Sequence, residues 1–282
     1  MGSVSVKKRL ILFVLLILGT ALIGCRNSEI PQNRVFSIND LAHKRVGVQI
    51  GNTAETYAAD FGGDTAKIQL ERFKSLDGAI QALRQGKLDA VLCDDAPAAV
   101  YVARYQSLRI LEEVFMEETY AGVISKERYG LLDTVNIALI QMRAMGVYDS
   151  IFDSYIGGSG DYHFVQDSMK GPALRLATNA EFPPYEYKTE DGFGGIDIEI
   201  AHYIADFMER PLEIVNMDFD SIIDAVRENR ADIGLAAFSV TEERGQVINF
   251  TDTYAKSKIV VIVRSDEDES LLSLIKDTLL GE

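Results

Sequence analysis

The chain contains no tryptophan, only two cysteines and only three histidines among its 282 residues. Two cysteines cannot build a disulfide framework, and His43, His163 and His202 do not have the spacing of a zinc site. Basic residues are also scarce, with 28 Lys and Arg against 43 Asp and Glu, so the formal net charge is −15. This balance argues against a nucleic-acid-binding protein, because phosphate contacts need clustered Lys and Arg. The sequence predicts neither a metal nor a cofactor.

The composition is otherwise that of a globular protein, with 47% hydrophobic and 25% charged residues. A chain of this length forms one large domain or two lobes of ordinary size.

The first residues have the pattern of an export signal. An apolar run over residues 10–23 follows Lys7, Lys8 and Arg9. This run is shorter than the roughly 20 residues that a membrane-spanning helix needs. The run ends in Leu-Ile-Gly-Cys, which resembles a bacterial lipobox whose cysteine, Cys25, is lipidated. The alternative is an uncleaved anchor with a chance cysteine.

Cleavage after residue 24 would leave 258 of the 282 residues, and loss of the three basic charges would change the net charge from −15 to −18. Polar residues 25–35 then read as a tether to the membrane, held by lipid chains on Cys25. The remaining cysteine, Cys93, is expected to be a buried, inert thiol.

Short apolar runs alternate with helical patterns, which predicts an α/β fold with a parallel or mixed sheet. Strands are expected at residues 45–50, 90–92, 174–178, 212–217 and 232–236. Helices are expected at residues 54–61, 76–84, 196–208 and 221–228.

One helix–turn–strand pattern occurs twice. Residues 79–92 read AIQALRQGKLDAVL and residues 222–235 read IIDAVRENRADIGL, with Asp89 aligned to Asp232. Either such units simply share a composition, or the chain contains two lobes built on similar α/β plans. A glycine-rich stretch at residues 158–172 then reads as a linker.

Four polar segments follow predicted strands, which is where ligands bind in open α/β sheets. They are residues 51–55, 92–95, 178–187 and 237–244.

These segments contain groups for both ends of a zwitterion. Arg244, three residues after a predicted helix cap at Thr241, can bind a carboxylate through two parallel hydrogen bonds. The alternative is that this arginine forms a solvated ion pair with a neighbouring acidic residue, as a lone arginine usually does. Asp94 can pair with an ammonium group, and Phe182 and Phe219 can enclose an apolar portion. The combination predicts a binding site for a free amino acid.

The same segments resemble the polar amino-acid-binding proteins of bacterial ABC transporters, the extracellular solute-binding proteins of family 3. The resemblance rests on ATNAEFPPYEY, GGIDIEIAHYIA, MDFDSIIDAV, ADIGLAAFSVTEERGQVINFTDTY, DLAHKRVGVQIGNT, LDAVLCDDAPA, YAGVISKERYGLLDTVNIAL and GVYDSIFDSYIGG. It implies a two-lobed type II periplasmic-binding-protein fold with a hinge.

The resemblance also implies roles for individual residues. Arg244 would bind the α-carboxylate with help from Thr53 and Ser239, while Asp94 and the backbone of Ala237 would bind the α-ammonium. The rest of the implied ligand-binding set consists of Phe182, Phe219, Asn179, Asn52 and Gln49.

Two positions depart from the family pattern. Asn179 falls where several relatives carry an aspartate for a basic ligand, which weakens the case for Lys, Arg or His. Asn52 and Ala54 replace the commoner Gly-Thr-Thr-Gly loop.

The order of the family blocks is reversed in this chain, as in a circular permutation. One lobe would contain residues 120–157 and 173–256, and the other residues 36–119 and 257–282, with residues 158–172 as the joining linker. A tandem pair of truncated copies is the rival interpretation. The permutation requires residues 259–263 to join the sheet that contains residues 46–49.

The resemblance thus implies a lipid-anchored, extracytoplasmic, monomeric receptor that passes an amino acid to an ABC permease. Two alternatives remain: a dehydratase on the same fold, for which Glu181 is the nearest extra acidic residue, and a sensor that acts in trans. A dipeptide, an opine or another small carboxylate also fits the residues.

Overall fold

A computed structural model describes residues 32–158 and 169–265. The expected signal segment, Cys25, the tether up to residue 31, the linker between residues 159 and 168, and residues 266–282 lie outside the described residues.

One five-stranded sheet is built from both ends of the described chain. Its strands are β1 (Arg45–Gln49), β2 (Gln69–Phe73), β3 (Ala90–Asp94), β4 (Leu108–Tyr120) and β13 (Ala255–Arg264). Their order is β2-β1-β3-β13-β4, with β1 parallel to β2 and β3 and with β13 antiparallel to β3 and β4. The accompanying helices are α1 (Thr53–Asp60), α2 (Leu76–Arg84) and α3 (Asp95–Arg104).

A second five-stranded sheet comes from the middle and later parts of the chain. Its order is β10-β6-β11-β5-β12, where β5 is Val123–Ser125, β6 is Leu174–Thr178, β10 is Leu212–Asn216, β11 is Ile233–Gly234 and β12 is Ile248–Phe250. Its helices are α4 (Tyr129–Ala144), α5 (Val147–Phe152), α6 (Ile196–Phe207), α7 (Ile222–Arg227) and α8 (Glu242–Val247). A small antiparallel sheet contains β7 (Glu181–Phe182), β8 (Glu186–Thr189) and β9 (Gly192–Gly194).

The α/β class predicted from the alternating pattern is confirmed. The side chain of Ser75 accepts a hydrogen bond from the Gly78 amide at the start of α2, and Gly86 just beyond its end has φ +72°. The largest buried apolar cluster contains residues from both large sheets, such as Val91 and Leu176. None of the helices in the described ranges combines the length and apolar character needed to cross a membrane.

The repeated sequence pattern has a structural counterpart in each sheet. The Arg45 side chain donates to both oxygens of Asp89, and the Arg175 side chain donates in the same way to Asp232. In both cases the aspartate also accepts the backbone N–H of its arginine and precedes a strand that pairs in parallel with the arginine's strand. The repeated pattern therefore reflects more than a similar composition. Asp89 fixes the starts of β1 and β3, and Asp232 fixes the starts of β6 and β11 in the same way.

Two chain segments connect the large sheets, one between β4 and β5 and the other between β12 and β13. They are joined where the Tyr254 amide donates to the Tyr120 carbonyl at 2.8 Å. β1 and β13 lie in one sheet, separated by β3, which is the arrangement that the reversed order of blocks requires.

Asp232 is the clearest electrostatic contributor to stability. Burial alone would raise its pKa, but hydrogen bonds from Arg175 and Arg128 outweigh burial and lower the pKa to about 2. Its ionised form therefore stabilises the fold above about pH 4, and this contribution is lost as the pH falls toward 2.

We expect Asp232→Asn to lower the free energy of unfolding at pH 7 by about 2 kcal/mol, since it leaves half-buried arginine donors without a charged partner. Urea unfolding at pH 7 and pH 3 measures this, and the difference between variant and parent should shrink at pH 3. Asp224→Asn is the matched control, because Asp224 forms an exposed pair with Arg227. An Asp232→Asn protein as stable as the parent at pH 7 would contradict the account.

Candidate functional site

A small cavity lies where the strand ends of the two large sheets face each other. All ten ligand-binding residues expected from the sequence line it, and they are joined by Ala236 and Glu186. The structure thus brings together residues from segments that are up to about two hundred positions apart in the chain.

The cavity has a volume of about 10 Å³, which is about the room for one water molecule. An amino acid does not fit into this space. The structure therefore represents a closed arrangement, in which the polar side chains of the cavity contact one another.

Three hydrogen bonds cross the cavity between the two halves. The hydroxyl oxygens of Thr53 and Ser239 are 3.2 Å apart, and the Gln49 amide donates to Asn179 Oδ1 at 3.0 Å. An Nη atom of Arg244 donates to the Gly51 carbonyl at 2.8 Å. Each bond uses at least one side chain from the expected ligand-binding set, so in the closed arrangement these polar groups are already partnered across the cavity.

Arg244 is held at the start of α8 by its helix cap. The Thr241 hydroxyl accepts the Arg244 amide at 3.2 Å, as predicted, and the guanidinium also donates to the Ser239 carbonyl at 2.9 Å. It lies 5.7 Å from the ring centre of Phe219 and 5.3 Å from that of Phe238. Burial lowers the pKa of Arg244, while nearby acidic groups oppose that shift. The side chain is a desolvated cation at the edge of the cavity.

Asp94 ends β3 and precedes α3, and it is only 8% exposed. Burial and the negative charge of Glu118 raise the pKa of Asp94 to about 7, although hydrogen bonds from Tyr120 and Ser257 act in the opposite direction. A carboxylate that is costly to ionise in this environment becomes easier to ionise when an ammonium group lies beside it.

Glu186 is a site residue that the sequence reasoning missed. Glu181, which the sequence offered as the nearest extra acid, is exposed on β7, whereas Glu186 on β8 is buried and lines the cavity. The local sequence carries no signal for this difference, because the burial of Glu186 follows from the pairing of β8 with β7 in the small sheet.

Glu186 forms a carboxyl pair with Asp197 at the start of α6. Asp197 Oδ2 accepts the Ala237 amide and the Tyr254 hydroxyl, each at 2.8 Å. Burial raises the pKa of Asp197 to about 7, and burial together with the Asp197 charge raises the pKa of Glu186 well above its ordinary value. The two raised pKa values favour a proton shared within the pair, and the Asp197 carboxylate fixes the Ala237 loop, where φ is +49°.

The loop that departs from the family pattern still enters a helix. Asn52 accepts the Glu55 amide at 3.0 Å and so caps α1, while Ala54 is buried behind it. Cys93 is buried as expected, and burial raises the pKa of its thiol well above the ordinary value. No group of three or more His, Cys, Asp and Glu in the described part of the chain has an arrangement that could hold a metal.

Residues 174–278 match the model of the bacterial extracellular solute-binding proteins, family 3. Over 108 residues the chain is 30% identical to the arginine-binding extracellular protein ArtP of Bacillus subtilis (strain 168), covering 38% of this chain and 42% of that protein. It is 30% identical over 111 residues to a probable histidine-binding protein of Neisseria gonorrhoeae, covering 39% of this chain and 41% of that protein.

A cyclohexadienyl dehydratase of Pseudomonas aeruginosa is 24% identical over 107 residues, covering 38% of this chain and 40% of the enzyme. The chain thus spans about two fifths of the length of the curated relatives it matches. The resemblance to polar amino-acid-binding proteins that the motifs indicated is confirmed.

The buried carboxyls predict how stability depends on pH. Because the pKa values of Asp94, Asp197 and Glu186 are raised, the folded protein keeps protons that the unfolded chain releases, so stability should fall between pH 5 and pH 8. We expect Glu186→Gln to make this fall shallower, since glutamine cannot ionise. Denaturant unfolding across the pH range measures the slope.

Glu181→Gln is the control, because it makes the same change on the solvent side of the same motif. It should follow the parent at every pH. A Glu186→Gln protein with the parent's full pH slope would show that this carboxyl does not hold a proton.

Proposed function

We propose that this chain, with its resemblance to the solute-binding proteins of family 3, captures a free polar amino acid and delivers it to an ABC permease. The observation that carries the proposal is the presence of Arg244 and Asp94, a desolvated cation and a buried acid, at one cavity. Opposite charges fixed close together match the two ends of a zwitterion. The arginine-binding and histidine-binding relatives support the ligand class.

The carboxylate end of the ligand would take the hydrogen bonds that now hold the cavity closed. Arg244 would exchange the Gly51 carbonyl for the α-carboxylate, and the hydroxyls of Thr53 and Ser239 would turn from each other to the ligand. For Arg244 and Thr53 the exchange replaces a neutral acceptor with a charged one, which strengthens the bond, whereas the Ser239 hydroxyl would give up its present bond to Glu118 Oε2.

The remaining residues would bind the other parts of the ligand. Asp94 and the Ala237 carbonyl would accept the α-ammonium, while Phe182 and Phe219 would enclose the side chain. Gln49 and Asn179 would offer their amides to a polar side-chain end, and their present bond shows that these amides reach each other. Asn52 would act through its cap on α1, whose first amides face the carboxylate region.

Ligand entry needs a larger space than the closed cavity provides, so the two halves would move apart. The two connecting segments beside Tyr120 and Tyr254 are the natural hinge, since they alone in the described chain lead from one large sheet to the other. The halves would be lobe 1 (residues 120–157 and 173–256) and lobe 2 (residues 36–119 and 257–282). Domain closure about such a hinge is a familiar binding motion.

The circular permutation is part of the proposal. The position of β13 beside β3 and β4 supports it, as does a family match limited to residues 174–278, because a collinear comparison can align only one block of a rearranged chain. The proposal also includes export of the chain, with removal of residues 1–24 and lipidation of Cys25. The exported protein would be a monomer.

A dehydratase acting on a small carboxylic acid is a second candidate. Glu186 favours it, since a buried carboxyl that lines the cavity and has a pKa raised above its ordinary value is suited to general acid catalysis. The dehydratase relative is consistent with this chemistry on a similar sequence.

The receptor proposal predicts that Arg244→Ala loses amino-acid affinity by about a hundredfold or more, because the ligand carboxylate would be left without its charged donor. A thermal-shift screen of the twenty amino acids would identify the ligand, and calorimetry would then measure its affinity. Arg227→Ala removes an equal charge from an exposed helix position and should bind as the parent does. Unchanged affinity in Arg244→Ala would refute the site, and a parent that binds no amino acid would refute the ligand class.

The two candidates differ in turnover. The receptor should return its ligand unchanged after prolonged incubation, as followed by mass spectrometry of the released small molecule. Conversion of a bound acid by the parent, with loss of conversion in Glu186→Gln and not in Glu181→Gln, would instead establish the enzyme.

A further inference from the structure

Glu118 is a buried carboxylate that lies just outside the cavity. It is 9% exposed, near the end of β4, and it lines a neighbouring cleft together with Tyr57 and Lys256. Its Oε2 accepts the Ser239 hydroxyl at 2.9 Å, whereas its buried Oε1 has no hydrogen-bond partner within the described ranges. Ser239 is therefore the one hydrogen-bond donor that this carboxylate has in the described part of the chain.

Ser239 stands between Glu118 and the cavity. It lines the cavity, and its hydroxyl oxygen is 3.2 Å from that of Thr53. A carboxylate only accepts hydrogen bonds, and a hydroxyl has a single proton to donate. Because the Ser239 proton goes to Glu118, Ser239 must accept the proton of Thr53. The direction of the chain of hydrogen bonds is thus set from Thr53 to Ser239 to Glu118.

Glu118 also acts on Arg244 through its charge. Burial lowers the pKa of Arg244, and the negative charge of Glu118 is the largest of the effects that oppose this shift. The guanidinium itself donates to the carbonyls of Gly51 and Ser239. Two groups expected to bind the ligand carboxylate, the Ser239 hydroxyl and the Arg244 cation, therefore already interact with a carboxylate of the protein.

We propose that Glu118 is a positioning residue that limits the affinity of the site, because it competes with the ligand carboxylate for the proton of Ser239. This inference rests on the proposed receptor function. If the ligand takes this hydrogen bond, both oxygens of the buried Glu118 lose their donor in the protein, which is costly. If Glu118 keeps it, Arg244 and Thr53 bind the ligand carboxylate without Ser239. Either way, Glu118 weakens binding.

Glu118→Gln tests the competition. Glutamine has a similar shape and no charge, and its amide can donate to Ser239, which leaves the Ser239 proton for the ligand. In calorimetric titrations with the amino acid that the screen identifies, the variant should bind about tenfold more tightly than the parent. Glu118→Ala removes the acceptor altogether and should change affinity in the same direction. Glu117→Gln is the control on the same strand, since Glu117 is exposed, and it should stay within about twofold of the parent.

The dependence on Ser239 separates this role from a structural one. The affinity lost on Ser239→Ala should be about tenfold larger in the Glu118→Gln background than in the parent, because only there is the Ser239 proton free for the ligand. Glu118 variants that bind no more tightly than the parent, or a gain that persists after Ser239→Ala, overturn the inference and leave the receptor function intact. A parent that binds no amino acid overturns both.

Discussion

The antiparallel pairing of β4 with β13 is the interaction on which the rest of the structure depends. It runs from Leu108 opposite Arg264 to Tyr120 opposite Ala255, beside the places where the chain passes between the sheets. The same ladder brings Tyr120 and Ser257 next to Asp94, so the geometry of the acidic end of the cavity follows from backbone hydrogen bonds. Strand register, rather than loop conformation, positions the groups that would recognise an amine.

The cavity is electrostatically unusual because most of its charge is suppressed. Burial raises the pKa of Asp94 and Asp197 to about 7 and that of Glu186 well above its ordinary value, while Arg244 remains a cation whose pKa is lowered by burial. A net charge of −15 on the whole chain therefore says little about the site, since surface carboxylates account for solubility while the interior groups are held close to neutral. A charged ligand would bind tightly in such a site because its own charges make it easier for these groups to ionise.

Much of this arrangement could be predicted from the sequence. The alternation of short apolar runs with helical patterns predicted the α/β class, and the four polar segments after strand ends contained most of the residues that line the cavity. The cap at Thr241 and the repeated Asp89 and Asp232 patterns were also visible, because they depend on local spacing. The burial of individual acidic side chains could not be predicted, because it depends on pairing between strands that are distant in the sequence. Glu186 and Glu118 are buried because of strands that meet across the fold, and nothing in their local sequence distinguishes them from the exposed Glu181 and Glu117.

The bond between Gln49 and Asn179 joins the last residue of β1 to the residue that follows β6, and each of these strands begins beside its own arginine–aspartate pair. In the closed arrangement, the side-chain amides of Gln49 and Asn179 thus hydrogen-bond to each other, in place of a polar group of a ligand. If the closed arrangement cannot accept a ligand, the apparent dissociation constant of the proposed receptor equals the intrinsic one divided by the open fraction. Residues outside the cavity that stabilise the closed arrangement would then weaken affinity without any change in the cavity itself.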